Sequence, residues 1–118
     1  MKYDLIVIGG GLVGASLVAA LKGSGLRVAL IESQQPEVLP TDASWDRRIY
    51  AISPGSTEFL RDLGAWQLID TERLTPVYDM AVYGDDYTSR LDFSAYDIGV
   101  SELAFIAENR QLHAAVWQ

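Results

Sequence analysis

Gly9, Gly11 and Gly14 stand in the order G-x-G-x-x-G, and Glu32 follows Gly14 by 18 residues. Residues of these types at this spacing can hold the pyrophosphate and one ribose of an adenine dinucleotide. Gly9 turns the chain sharply out of a strand. Gly11 lacks a Cβ, so a pyrophosphate can approach the backbone. Gly14 lets the following helix lie close to the strands. The N–H groups of Leu12 and Val13, at the start of that helix, would point at the phosphates, and the helix dipole favours a negative charge there by about 0.3–1 kcal/mol. Glu32, with Ser33 beside it in the same candidate set, would accept hydrogen bonds from the ribose hydroxyls. A carboxylate repels a 2′-phosphate, so the expected adenosine belongs to FAD or NAD and not to NADP. No lysine followed by Ser or Thr closes the glycine run, which leaves a P-loop unsupported.

These residues need an element on each side. Lys2–Ile8 is a continuous apolar run that predicts a strand buried on both faces. Leu12–Lys22 predicts a helix closed by Gly23-Ser24-Gly25, and Arg27–Ile31 a second buried strand. Strand, turn, helix and strand make a βαβ unit, whose crossover is right-handed. Ser33–Asp46, with Pro36 and Pro40, reads as a loop, and Arg47–Ile52 as a short apolar stretch. Ser53-Pro54 looks like an N-cap followed by proline at the first helical position, with the helix stopping at Gly64. One more turn is expected within Ala65–Asp70. Val77–Tyr83 alternates and, with a turn at Gly84-Asp85-Asp86, predicts an antiparallel hairpin returning over Tyr87–Phe93. Asn109 is placed to cap a last helix beginning at Arg110. The expected fold is therefore α/β, a Rossmann-like unit with a small antiparallel insertion. Two parallel strands cannot cover both faces of their own sheet, so the 118 residues read as part of a larger fold, the alternative being a complete small α+β domain.

Composition narrows the function classes. The chain has 118 residues and a net charge of −7, with 49% hydrophobic residues and no cysteine. That is globular composition. An acidic protein is a poor binder of nucleic acid, whose phosphates need a cationic face. The lack of cysteine removes disulfides, thiolate metal sites and cysteine nucleophiles. Glycines interrupt the most apolar stretch, Leu5–Leu21, so it does not read as a membrane span. Lys2 followed at once by Asp4 makes a poor signal peptide. A cytoplasmic protein is expected.

Other candidates are weak. His113 is the only histidine and has no carboxylate cluster at metal spacing, so it receives no role and no metal site is expected. Trp45, Trp66 and Trp117 read as packing residues, and Asp85-Asp86 as a turn. No catalytic acid or base can be named.

The start, DLIVIGGGLVGASLVAALKGSGLRVALIE, resembles the FAD-binding start of flavoprotein hydroxylases of the para-hydroxybenzoate hydroxylase type. The segment DRRIYAIS, from Asp46 to Ser53, resembles the D-x-R-x-x-A-[LI]-[SN] stretch of the ubiquinone-biosynthesis hydroxylases. Ser56, Leu63, Gly64 and Trp66 match that family's S-x(6)-L-G-x-W continuation, and Glu108-Asn109 with Leu112 its E-N-x-x-L helix start. The family's later Gly-Asp motifs do not occur in these residues, so the resemblance covers only the first part of such an enzyme.

The resemblance implies an FAD monooxygenase that hydroxylates the aromatic ring of a prenylated ubiquinone precursor, with NAD(P)H as co-substrate and O₂ as oxidant. It implies that Gly9, Gly11, Gly14 and Glu32 bind the ADP half of FAD and that Arg48 reaches the pyrophosphate and ribityl region. A guanidinium can bond two phosphate oxygens at once. Asn109 would face the cofactor from its helix start, alongside plain N-capping. A lipid-tailed substrate leaves peripheral association with the inner membrane, or with other enzymes, open. The isolated piece is expected to be inactive. Two other readings stand beside it: a different FAD-dependent oxidoreductase, which the DRRIYAIS segment disfavours, and a non-enzymatic module that binds FAD or NAD.

Overall fold

The computed structural model describes residues 1–86 and 88–118. Strand β1 (Leu5–Ile8) leads through the glycine turn into helix α1 (Leu12–Ala20), which returns to strand β2 (Val28–Ile31). The two strands pair in parallel, with Leu5 opposite Val28 and Ile8 opposite Ile31. Pairing continues one step into the turn, where the Gly9 N–H donates to the Ile31 carbonyl at 2.8 Å. Helix α1 ends at Ala20 with Leu21 as its C-cap, two residues short of the expected Lys22, so Gly23 and Gly25, at φ +78° and +83° in the left-handed region that glycine adopts without strain, turn the chain beyond the helix and do not cap it directly.

The expected burial fails for both strands: no residue of β2 is buried, and Ile31 is 55% exposed. The strand β1 was expected to be buried on both faces, yet Ile6 and Ile8 are 55% and 83% exposed. The physical reason is that β1 and β2 form a sheet of only two strands, and α1 covers one face. Only Val7 of β1 is buried.

The remainder is antiparallel. Strand β3 (Ile49–Ile52) is followed by helix α2 (Pro54–Asp62), whose start is capped as predicted: the Ser53 hydroxyl accepts the Ser56 N–H at 3.2 Å. The chain turns at Gly64 (φ +77°), and short 3₁₀ turns follow at Trp66–Leu68 and Thr71–Arg73. Strand β4 (Thr75–Val77) then precedes a hairpin of β5 (Asp79–Tyr83) and β6 (Arg90–Ser94), a helical turn α3 (Ala95–Ile98), strand β7 (Ala104–Glu108) and helix α4 (Asn109–Trp117). Strand β7 is the middle of a three-stranded sheet, β3-β7-β4, that was not anticipated. Val77 belongs to this sheet and not to the hairpin, so the predicted Val77–Tyr83 strand is split at Tyr78. The predicted return strand starts at Tyr87, outside the described residues; pairing runs from Arg90 opposite Tyr83 to Ser94 opposite Asp79.

The core lies between α1, α4 and the β3-β7-β4 sheet. Leu112 is fully buried, Ala15 and Ala115 are small enough to let α1 and α4 approach, and Leu60, Trp66 and Ile69 close the cluster. The Trp66 ring meets Phe105 edge-on, with centroids 5.4 Å apart. Trp66 is thus a packing residue as expected, whereas Trp45 is 59% exposed. Radius of gyration is 17.4 Å, against about 13–14 Å for a compact domain of this length. The excess fits the β5-β6 hairpin, all five residues of whose first strand are exposed.

Candidate functional site

The glycine turn is held in shape by three different demands. Gly9 has φ +98°, a conformation other residues adopt only with strain. A Cβ on Gly10 would lie 2.9 Å from the Trp117 ring and 3.0 Å from the Glu32 Cβ. One on Gly14 would lie 1.9 Å from the Gly9 carbonyl oxygen. Gly11 differs from all three. Its φ is an ordinary −67°, and a Cβ there would meet nothing within 4 Å. Nothing in the chain itself requires glycine at that position, and the space beside it is open.

That space is a cleft of about 560 Å³, within the usual range for ligand pockets. Gly9, Gly11, Leu12, Val13 and Gly14 form one wall, and Arg48, Tyr50, Asn109 and His113 form the other. No side chain caps the first turn of α1. The first intrahelical bond runs from the Ala15 N–H to the Gly11 carbonyl. This leaves the N–H groups of Leu12, Val13 and Gly14 without an acceptor among the described residues, an arrangement that suits an anion.

Glu32 is tied to the turn but does not line the cleft. Its Oε2 accepts the Gly10 N–H at 2.6 Å, and its Oε1 accepts the Gln34 N–H at 3.0 Å. The Ser33 hydroxyl donates to the same Oε1 at 3.3 Å, so Ser33 braces the carboxylate and also stands outside the cleft. The bond from Gln34, followed by that from Gly10, holds the Glu32 carboxyl below the usual carboxylate range. The carboxylate is exposed and ionised at neutral pH, with lone pairs left for hydroxyl donors.

The opposite wall is set by contacts between distant parts of the chain. Glu108, 1% exposed, takes a two-pronged bond from Arg73: Nε to Oε2 and Nη2 to Oε1, both 2.9 Å. Its Oε1 also accepts the Asp46 N–H at 2.8 Å. Asp46 in turn accepts the Arg48 N–H at 3.1 Å and the Arg110 N–H at 3.0 Å, so it caps α4 from outside the helix. The Asn109 N–H donates to the Arg48 carbonyl at 2.8 Å. Arg73 and Arg110 both donate to the Ser44 carbonyl. The Arg73 guanidinium lies 3.9 Å from the centre of the Trp45 ring, a cation–π contact that replaces the packing role expected of Trp45.

The expected capping role of Asn109 is therefore corrected. Helix α4 begins at Asn109 itself, Glu108 is the N-cap residue, and no N-cap side-chain bond forms there. Asp46 does that work, and Asn109 lines the cleft. Arg48 lines it too, while Arg47 does not. Arg48 makes no ion pair among the described residues; its guanidinium sits 5.7 Å from the centre of the Tyr50 ring. His113, given no role from sequence, also lines the cleft, and its Nε2 is 2.7 Å from the Gly10 carbonyl oxygen. Its one advance signal was spacing: it stands four residues after Asn109, on the same side of α4.

Comparison with known proteins shows what this arrangement is similar to. No protein-family model matches the chain. It is 31% identical over 115 residues to the 3-demethoxyubiquinol 3-hydroxylase of Escherichia coli, covering 98% of this chain and 29% of that protein. It is 36% identical over 122 residues to the mitochondrial ubiquinone biosynthesis monooxygenase COQ6 of Drosophila melanogaster, covering 98% and 25%. Over nearly its whole length the chain is similar to part of these ubiquinone-biosynthesis hydroxylases. It spans less than a third of the length of these two relatives. Its fold is similar to that of HpxO from Klebsiella pneumoniae, solved with FAD and uric acid, with a TM-score of 0.57 and 22% identity over 95% of this chain and 27% of that one. The mixed helix–strand architecture also resembles that of the flavin-dependent monooxygenase PieE, solved with FAD and substrate, with a TM-score of 0.63 and 16% identity over 98% of this chain and 21% of that one. Among the described residues no helix is long and apolar enough to cross a membrane, and no cluster of metal-ligating side chains occurs.

Proposed function

We propose that these 118 residues are the adenine-dinucleotide part of an FAD-binding domain, Rossmann-like in its β1-α1-β2 unit. On this reading they belong to a longer monooxygenase that hydroxylates the aromatic ring of a prenylated ubiquinone precursor. When bound, FAD would supply the redox chemistry, taking electrons from NAD(P)H and delivering one atom of O₂ to the ring. The observation that carries the reading is Gly11, a glycine that the chain's own atoms do not require, at the mouth of a cleft lined by unpaired N–H groups.

The residues present fit the cofactor. The N–H groups of Leu12, Val13 and Gly14 offer donors to a pyrophosphate, and the absent Cβ of Gly11 leaves room for it. Arg48, without a carboxylate partner among the described residues, offers a fork of donors to phosphate oxygens from the other wall. Glu32, braced by Ser33, keeps an ionised carboxylate beside the turn for the ribose hydroxyls. Asn109 offers an amide to the cofactor from the same wall. No residue here is assigned proton transfer or contact with the aromatic substrate; those tasks belong to the rest of the enzyme. A lipid-tailed substrate fits a cytoplasmic protein that works at the surface of the inner membrane, alone or beside other enzymes of the route.

The test is the visible spectrum of the purified full-length protein. A flavin band is expected, and it should be lost in Gly11→Leu while the unfolding midpoint stays within a few degrees, because the new side chain enters open space. NAD binding with no flavin band would favour a dinucleotide-sensing module. A full flavin complement in Gly11→Leu would overturn the placement of the pyrophosphate.

A further inference from the structure

The peptide oxygen of Gly10 poses an electrostatic problem for any anion held in this turn. A carbonyl oxygen carries partial negative charge, so left bare in a phosphate-binding loop it would oppose the N–H groups around it. Here it is not bare. The Trp117 indole N–H lies 3.1 Å from it and the His113 Nε2 lies 2.7 Å from it. Both groups come from α4, more than 100 residues along the chain from Gly10.

Two hydrogen placements compete at this contact. His113 Nε2 lies 2.7 Å from the Gly10 carbonyl oxygen and 2.6 Å from the Trp117 Nε1, and a single nitrogen cannot donate to the first while accepting from the second. With the proton on Nε2, both N–H groups face the carbonyl oxygen, whose two lone pairs can accept them; with the proton on Nδ1, the indole N–H serves Nε2 and the oxygen together. We take the first placement. The rings stand nearly perpendicular, at 82°, which lets the two donors approach from different directions.

We propose that His113 is a positioning residue of the dinucleotide site, acting with Trp117 to hold the Gly10 carbonyl away from the bound pyrophosphate and to compensate its charge. The proposal rests on the dinucleotide reading of the cleft. Gly10 is then fixed through both of its polar groups: its N–H by Glu32 and its carbonyl by His113 and Trp117. Neither group is left for the ligand. The turn's conformation is set before the cofactor arrives, so less of the binding energy is spent in ordering it. Crowding of Gly10 between the Trp117 ring and Glu32 supports the same conclusion, since the residue is gripped sterically as well as by hydrogen bonds.

The experiment measures FAD and ADP affinity of the full-length protein by titration calorimetry, with thermal unfolding in parallel. His113→Leu should weaken both ligands about tenfold, the loss expected for one hydrogen bond to a group otherwise left short of donors. His113→Gln, whose side-chain amide can donate from near the position of Nε2, should recover affinity to within about twofold. A merely structural histidine would change the midpoint without this split between Leu and Gln. Trp117→Phe keeps the ring and removes the N–H. It should cost about threefold, and it carries the test if His113→Leu does not fold. Equal affinities in wild type and His113→Leu would overturn the role of His113 while leaving the dinucleotide reading intact. Failure of the wild type to bind either ligand would overturn both.

Discussion

The two walls of the cleft are built in opposite ways. The glycine wall is local: 28 consecutive residues, Leu5 to Glu32, contain the strand, the turn, the helix and the carboxylate that serves them. Its shape follows from missing side chains. The other wall, which presents Arg48, Tyr50, Asn109 and His113, is held from behind by Asp46, Arg73 and Glu108, and it depends on the buried Arg73–Glu108 pair. Short-range sterics set the first wall and long-range electrostatics the second. A substitution in the glycine wall should therefore damage ligand binding before stability, and one in the charged wall should do the reverse.

The largest effect is expected at Glu108. Removing one partner from a buried ion pair leaves the other desolvated and uncompensated, at a cost of about 3–5 kcal/mol. Glu108→Ala strips Arg73 of its two-pronged partner and frees the Asp46 N–H, so Asp46, Arg48 and the start of α4 should lose their register together. Denaturant unfolding should show the full loss. A loss below about 1 kcal/mol would mean that water reaches the pair and that this wall is held mainly by its strand pairing.

Gly14→Ala comes next. The new Cβ would sit 1.9 Å from the Gly9 carbonyl oxygen, so the helix must move away from the turn. Overpacking of this kind costs about 1–3 kcal/mol. The loss of dinucleotide affinity should be much larger than that stability change suggests, because the unpaired N–H groups would be displaced with the helix. If affinity and stability fell by the same amount, the glycine wall would be no more specialised for binding than the charged one.

The same contrast explains what was legible in the sequence. Gly9, Gly11, Gly14 and Glu32 declared themselves because strand, turn, helix and acid follow one another in a fixed order, and both strands lie where their apolar runs place them. Ser53 and Gly64 bounded α2 for the same local reason. Strand β7 gave no such notice: five residues, Ala104–Glu108, acquire their meaning from partners more than 25 and 50 residues away. Glu108 and Arg73 are 35 residues apart, and nothing in either neighbourhood marks them as a pair. His113 was passed over because its partner is a backbone oxygen, and a carbonyl leaves no trace in an amino-acid sequence. Arg48 and Asn109 were reached through family resemblance, and the cleft brings both together.

Arg48 gives a sharper test of the charged wall, because it lines the cleft and takes no part in the ion pairs. Arg48→Met keeps the length of the side chain and removes its donors. Loss of one charge-assisted contact to phosphate should reduce FAD affinity about tenfold. The affinity of the unsubstituted protein should fall with added salt more steeply than that of the variant. Stability should change by less than about 0.5 kcal/mol. A large loss of stability with unchanged affinity would make Arg48 part of the scaffold and move the boundary between the two walls.

The smallest effect is expected from acid, and it separates the walls through Asp46. The Arg48 N–H, followed by the Arg110 N–H and charge, holds the Asp46 carboxyl below its ordinary range. A carboxyl whose pKa is lower in the folded state than in the unfolded chain adds stability that is complete above the unfolded value, about 4. That stability is lost as pH falls through the folded value. Stability of the protein should thus decline below about pH 4, with the Asp46 cap of α4 among the contacts released. Asp46→Asn keeps an acceptor for the Arg110 N–H and removes the titration. The variant should be slightly less stable at pH 7 and should lose less on acidification, as read from urea unfolding midpoints at pH 3 and pH 7. Glu32 shifts in the same direction but is exposed in the glycine wall, so Glu32→Gln should leave the acid limb nearly unchanged while weakening FAD. If Glu32→Gln flattened the acid limb more than Asp46→Asn, the assignment of stability to the charged wall and of binding to the glycine wall would be reversed.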